Sequence, residues 1–317
     1  MPKEYRATGI NLKGMPLGEN DRLLTILTKE HGLIRAVAAG ARKHRSAMAG
    51  RSGLFVVNDL QISVGRNMDR IKNAEVIQSF VGLGQTLAKL TAAQYLSELA
   101  LMQALSSQPQ EDLFLVLVEH LNRIQAAANQ NVLAYLVHGT YHLLAIAGFA
   151  PQVHNCCITQ SPVVANYEIS RWKAGFSIVG GGVINLDMGE LGMSEFGMSE
   201  FGANNLAVNK LGITDLVSDG NPNSDRHNTD DDDTDRHRDH HLAIGGEAMH
   251  NRISHYLSGS EILAMQALPQ IDLTDNILEV PTSDWMAVER LLRAYAQYHF
   301  DRPIQSSALI DNCFFNI

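Results

Sequence analysis

The chain has 317 residues, enough for two domains and too many for one small core. At 45% hydrophobic and 19% charged it suits a globular protein, with no run of about 18 apolar residues to span a bilayer and no apolar leader after Met1-Pro2-Lys3. Three cysteines, Cys156, Cys157 and Cys313, are too few for a disulfide framework, so a cytoplasmic protein is expected.

Residues 1–80 read as β structure. Tyr5–Leu12, Leu23–Thr28, the alternation of Ile34, Ala36 and Ala38 with Arg35 and Val37, the alternation of Leu60, Ile62 and Val64, and Ile71–Ile77 give five short strands. Glycines at 14, 18, 32, 40, 50, 53 and 65 punctuate them. Five strands in so short a span suggest a small closed barrel, either an OB-fold or an SH3-like barrel.

From Gly82 the spacing turns helical, through Leu83, Leu87, Leu90 and Tyr95, then Leu113–Ala128 and Val132–Ala147, with Gly148 placed as a C-terminal glycine. Residues 186–245 carry a tandem Gly-Met-Ser-Glu-Phe repeat and then an Asp- and His-rich run with almost no apolar residue, which predicts a disordered insertion. A last helix is expected from Asp284 to Phe300, capped by Ser283 or Asp284. The expected order is a barrel (1–80), a helical part (81–150), a small module (151–185), the insertion (186–245) and a second helical part (246–317), an α+β protein.

The net charge of −9 is unevenly spread. Residues 1–80 hold 13 Lys and Arg against 7 Asp and Glu, a net of +6, which leaves −15 for the rest. Nucleic acid senses charge within a Debye length, roughly 8–10 Å at physiological salt, so the local excess outweighs the total. Lys29, Arg35, Arg42, Lys43, Arg45 and Arg51 stand against a single acid, Glu30. The run reads either as a phosphate-neutralising surface or as an ordinary solvated loop. With Tyr5, Phe55 and Phe80 as its few aromatics, the barrel is expected to grip backbones and to stack few bases.

Other patterns read as structural. His138 and His142 have zincin spacing, but position 139 is glycine where the general base would stand, so a packed histidine pair is expected. Gly180-Gly181-Gly182 lacks the Lys-Ser/Thr of a phosphate loop and reads as a turn. His227, His237, His240 and His241 lie in the acidic run and read as solvated. No nucleophile–base pair, paired carboxylates or nucleotide fingerprint stands out, so binding is favoured over catalysis. A protein-interaction adaptor is the rival class.

The stretches Ala7–Lys13, Gly18–Thr25 and Thr28–Val37, then Gly40-Ala-Arg-Lys43 with Ser46 and Gly50, and Asp69–Glu75, together resemble the RecO family of recombination mediators. Gly148-Phe-Ala-Pro151 followed by Cys156 resembles the start of that family's zinc module, and Leu291–His299 with Ser306–Ile310 its closing helix and tail. The resemblance implies an OB-fold, a helical body, binding and annealing of single- and double-stranded DNA, and work with RecR, the single-stranded-DNA-binding protein and RecA. Zinc-binding members carry two CxxC pairs. Here Thr159 follows Cys156 at the partner position and Ile184-Asn185 stand in the second half, so no metal and no other cofactor is expected. Arg35, Arg42, Lys43, Arg45 and Arg51 are the expected phosphate contacts, with Arg22, Arg66 and Arg70 as secondary ones.

Overall fold

The computed structural model describes residues 4–66, 68–166, 171–186 and 253–314. The expectation of disorder at 186–245 falls almost wholly outside them.

Five strands, β1 (Glu4–Leu17), β2 (Asp21–Thr28), β3 (Gly32–Ala38), β4 (Val56–Ser63) and β5 (Asp69–Ser79), close into a barrel in the order β1-β2-β3-β5-β4. All neighbours are antiparallel except β3 and β5, which meet in parallel at Ala36–Asp69 and Val37–Arg70. The α+β expectation with an OB-like barrel therefore holds. The interior is narrow and filled by small and branched residues, Ala7, Leu24, Ile26, Ala36, Ala38, Leu60, Ile62, Ile71 and Ala74.

The middle of β2 is apolar on both faces, with Leu23, Leu24, Ile26 and Leu27 all buried. Leu24 and Ile26 point into the barrel, while Leu27 joins Ile10, Leu12, Phe55 and Val57 in the core of the helical body. A strand buried on both faces loses the simple apolar/polar alternation. β1 runs five residues past the expected Leu12, as an exposed ribbon paired with β2 as far as Leu17–Asp21.

Between β3 and β4 the structure departs from the expected loop. Ala47–Arg51 forms a short helix, α1, whose N-cap Ser46 accepts the Met48 N–H. Ala41, the one apolar residue of the basic turn, is buried with the barrel core.

The helical body begins after a 3₁₀ turn at Val81–Gln85. It contains α2 (Leu87–Gln103), α3 (Glu111–Ala126) and α4 (Val132–Ile146), and after the undescribed stretch α5 (Gly259–Ala267), α6 (Asp275–Leu278), α7 (Thr282–Phe300) and α8 (Ser307–Phe314). Gly148 closes α4 at φ +83°, with its N–H on the Ala145 carbonyl and that of Phe149 on Leu144. This is a Schellman ending, as the sequence implies. The start of α7 is corrected: it begins at Thr282 with Pro281 at the cap, and Asp284 instead accepts the Ser260 hydroxyl at 2.6 Å. No helix among the described residues is long and apolar enough to cross a membrane.

The barrel is seated on the body through the turn after β2. Leu33 N–H reaches the Leu105 carbonyl (2.8 Å), Ser107 N–H reaches His31, and Gln110 N–H reaches Lys29. At Gly32, φ is +62°, and a Cβ would lie 2.1 Å from the Leu105 carbonyl oxygen and 2.4 Å from that of Gln108. Backbone cannot retreat as a side-chain tip can, so Gly32→Ala is expected to cost roughly 2–4 kcal/mol, read as a lower urea midpoint at unchanged m-value.

Candidate nucleic-acid interface

The basic residues are positioned by backbone as much as by sequence. β2 begins where β3 ends, so the β1–β2 turn and the turn after β3 lie side by side. They are pinned together: Arg42 N–H donates to the Asn20 carbonyl (2.8 Å), Arg42 Nη1 to the Gly18 carbonyl (2.8 Å), and Gly40 N–H to the Asp21 carboxylate (2.7 Å). Lys43 and Arg45 are exposed in the same turn, and Arg45 takes the left-handed conformation at φ +60°. Arg51 ends α1, and Arg22 of β2 reaches the hydroxyl of the next residue, Ser52, at 3.5 Å. Arg22, Arg42, Lys43, Arg45 and Arg51 are thus gathered at one end of the barrel.

The other three are less tightly grouped. Arg70 pairs with Val37 near the end of β3, so it and Arg66 in the β4–β5 turn lie beside the strand end from which the basic turn departs. Arg35 is two residues back on the outer face of β3, opposite Thr25 of β2. None of the eight joins an ion pair among the described residues, whose pairs involve Lys29, Lys72, Arg123 and Arg293.

Lys29 does not belong with them. It lies at the far end of β2, where its ammonium pairs with Glu111 of α3 (3.6 Å) and sits 5.4 Å from the Phe114 ring centre. It serves the barrel–body junction. Glu30 beside it is exposed and is held by the Thr8 N–H, which donates to its carboxylate at 2.9 Å. Of the barrel aromatics, Phe55 and Phe80 are buried, and the Tyr5 hydroxyl donates to Asp69 at 2.6 Å. Tyr5 is half-buried and packs edge-on against His31, so among the described residues no Phe, Tyr or Trp ring of the barrel is fully exposed for base stacking.

Three buried polar groups that sequence reading passed over shape the surroundings. Asn11 and Asn58, inside the barrel wall, bond to the end of α1. His120 of α3 completes a cluster with His138 and His142 of α4. His142 Nε2 donates to the Leu268 carbonyl and His138 Nε2 to that of Gln270, each at 2.9 Å. A carbonyl can only accept, so both Nδ1 atoms are bare. His120 Nε2 then donates to His142 Nδ1 at 2.9 Å, leaving His120 Nδ1 buried with no partner among the described residues. Gly139 makes room for this, since a Cβ there would come 3.1 Å from the His120 ring and 2.7 Å from Leu96. The pair is packed structure, and the third histidine was invisible because it comes from another helix.

The module after Pro151 is a three-stranded sheet, β6 (Lys173–Ser177), β7 (Gly182–Ile184) and β8 (His255–Ser258), in the order β7-β6-β8. Gly180 and Gly181 form the β6–β7 turn, with Gly181 at φ +76° and β7 following it directly. The donors at the described positions of this module do not suit zinc. Cys156 Sγ accepts the Thr159 N–H at 3.5 Å, and the Thr159 hydroxyl is shared with Ser161. Asn185 Nδ2 bonds to the Pro162 carbonyl, and the Cys157 thiol faces that of Gly182. Among the described residues no three His, Cys, Asp or Glu side chains are arranged to hold a metal ion. Buried Val153, Val163, Trp172, Phe176 and Val183 merge the module with the main core instead. A protein incubated with EDTA is therefore expected to keep its melting temperature to within about 1 °C, where a structural zinc site would lose many degrees.

Comparison with known proteins decides the family. Residues 1–80 match the model described as Recombination protein O N terminal, and residues 84–194 match Recombination protein O C terminal. The chain belongs to the RecO family. It is 40% identical over 317 residues to DNA repair protein RecO of Nostoc sp., covering 99% of this chain and 97% of the relative. Identity is 41% to that of Trichodesmium erythraeum (98% and 95% covered) and 42% to that of Acaryochloris marina (99% and 96%). The RecO N-terminal match ends at Phe80, one residue past the last strand of the barrel.

Proposed function

We propose that this RecO-family protein works in DNA repair as a non-catalytic binder of single- and double-stranded DNA. It anneals complementary strands and, with RecR and the single-stranded-DNA-binding protein, helps RecA to load. The family supports the repair role. The observation that carries the DNA-binding reading is the gathering of Arg22, Arg42, Lys43, Arg45 and Arg51 at one barrel end, free of ion pairs among the described residues. Cations without acidic partners can neutralise phosphates and release counterions without first breaking ion pairs. Arg35, Arg66 and Arg70 would extend the track along the β3–β5 seam. With no fully exposed Phe, Tyr or Trp ring in the described barrel, sequence preference should be weak and the bases left available to pair.

Annealing requires two polyanions to approach. A basic surface lowers that repulsion on one strand while its bases stay exposed. The test is a salt titration of binding to a poly-dT oligonucleotide, with annealing assayed with and without the single-stranded-DNA-binding protein. Five phosphate contacts on a single strand predict a log–log salt slope of about −3 to −4. A slope near zero would instead favour a barrel that binds a protein.

A further inference from the structure

Asn11 of β1 and Asn58 of β4 are almost completely buried, at 0% and 1% exposure. Their amide nitrogens converge on one acceptor, the Arg51 carbonyl, at 2.8 and 3.1 Å, and Asn11 also donates to the Gly53 carbonyl at 2.9 Å. Both amide oxygens are without partners among the described residues. Buried amides with unmade bonds are costly, and Asn58 shares its strand face with Leu60 and Ile62, where an apolar residue would pack at no such cost. The donors are what an apolar residue could not supply.

Arg51 is the last residue of α1, so its carbonyl is one of the helix's unsatisfied terminal acceptors. Holding it fixes the end of α1 against the barrel wall. The opposite end of the same segment is fixed by Asp21 at Gly40 and by Asn20 at Arg42. Between these anchors the turn carries Arg42, Lys43, Arg45 and Arg51. We propose that Asn11 and Asn58 are positioning residues for DNA binding: they lock the basic segment at one height above the barrel, so phosphates meet a preformed array. The inference rests on the DNA-binding reading above. Preorganisation raises affinity by reducing the ordering cost at binding.

The test uses the full chain, a poly-dT oligonucleotide and Asn11→Ala and Asn58→Ala made singly, so that one donor still holds Arg51. Each is expected to weaken binding about three- to tenfold and to make the salt slope shallower by about one unit, well below the melting temperature. In an R42E/K43E background, Asn58→Ala should change affinity by less than about twofold, because it acts through that segment. Should an alanine variant fail to fold, Asn58→Ser keeps a polar group too short to reach Arg51 and is measured in the same way. A lower melting temperature with wild-type affinity and slope overturns the proposal and leaves the pair merely structural, as does an undiminished effect in the R42E/K43E background. If R42E/K43E itself binds like wild type, the DNA-binding reading fails first and the proposal with it.

Discussion

Replacing Arg42 and Lys43 together by glutamate weakens binding to a poly-dT oligonucleotide about 10- to 100-fold near physiological salt and lowers the salt slope by roughly two units. Both side chains are exposed, and neither is in an ion pair among the described residues, so the reversal removes cations that the fold does not use for internal charge balance. The structural loss is one hydrogen bond, from Arg42 Nη1 to the Gly18 carbonyl; the Arg42 main-chain bond to Asn20 remains. The melting temperature should therefore move by only a few degrees, about what an exposed substitution on this scale causes. Lys29→Glu is the matched control. It sits in the same sequence run, yet it faces Glu111 and the Phe114 ring at the junction. It should lower stability and leave the salt slope alone. Unchanged binding by R42E/K43E at low salt would sink the assignment of the basic turn.

Acid unfolding is the second large effect, and its seat is the histidine cluster. Burial is the main cause that pushes His120 down to about 2 and His138 to about 4, with Arg123 and the neighbouring rings adding to it. His142 is lowered in the same sense, again chiefly by burial. Arg123 faces the cluster beside Glu119 and Asp272, both of which it pairs. A histidine depressed in the folded state stabilises the fold above its unfolded pKa, about 6.5, and that stability is lost as pH falls below it, because the unfolded chain takes up the proton first. For His120 and His138 the loss is about 2 kcal/mol each between pH 7 and pH 5, about 4 kcal/mol together. Urea midpoints measured at pH 7, 6 and 5 should fall steadily, and His120→Gln should flatten the fall by up to about half, His138 and His142 carrying the remainder. A midpoint that stays level over this range is incompatible with neutral buried rings.

Much of the barrel was legible in the sequence because period-two alternation is local: the parity of Leu60 and Ile62 or of Ala36 and Ala38 names the inner face without any distant contact. The helices of the body were legible for the same reason at period 3.6. What was hidden required knowledge of neighbours. α1 is five residues long, too short for any period, and showed only as Ser46 before Ala47. His120 joins His138 and His142 across two helices. Lys29 parted from the basic run because β2 carries it to the opposite end of the barrel. Asn58 did leave a trace, a polar residue on the parity of the core, and that is the pattern by which a buried clamp could be read in advance. Sequence placed Arg35, Arg42, Lys43, Arg45 and Arg51 in one segment and Arg22, Arg66 and Arg70 outside it; that Arg22 joins four of the segment's cations at one end follows from the short turn at Gly18–Asn20 folding against Gly40–Arg42.

Leu27, Ile10, Leu12, Phe55 and Val57 lie in the barrel's sequence but belong to the core beneath it. The barrel consequently has no floor of its own. Severed after Phe80, it would open that apolar underside to water and invite aggregation, and in the intact chain the two parts should melt in a single cooperative step. Excising a compact annealing domain from this protein would call for a redesigned underside, with polar residues at those five positions.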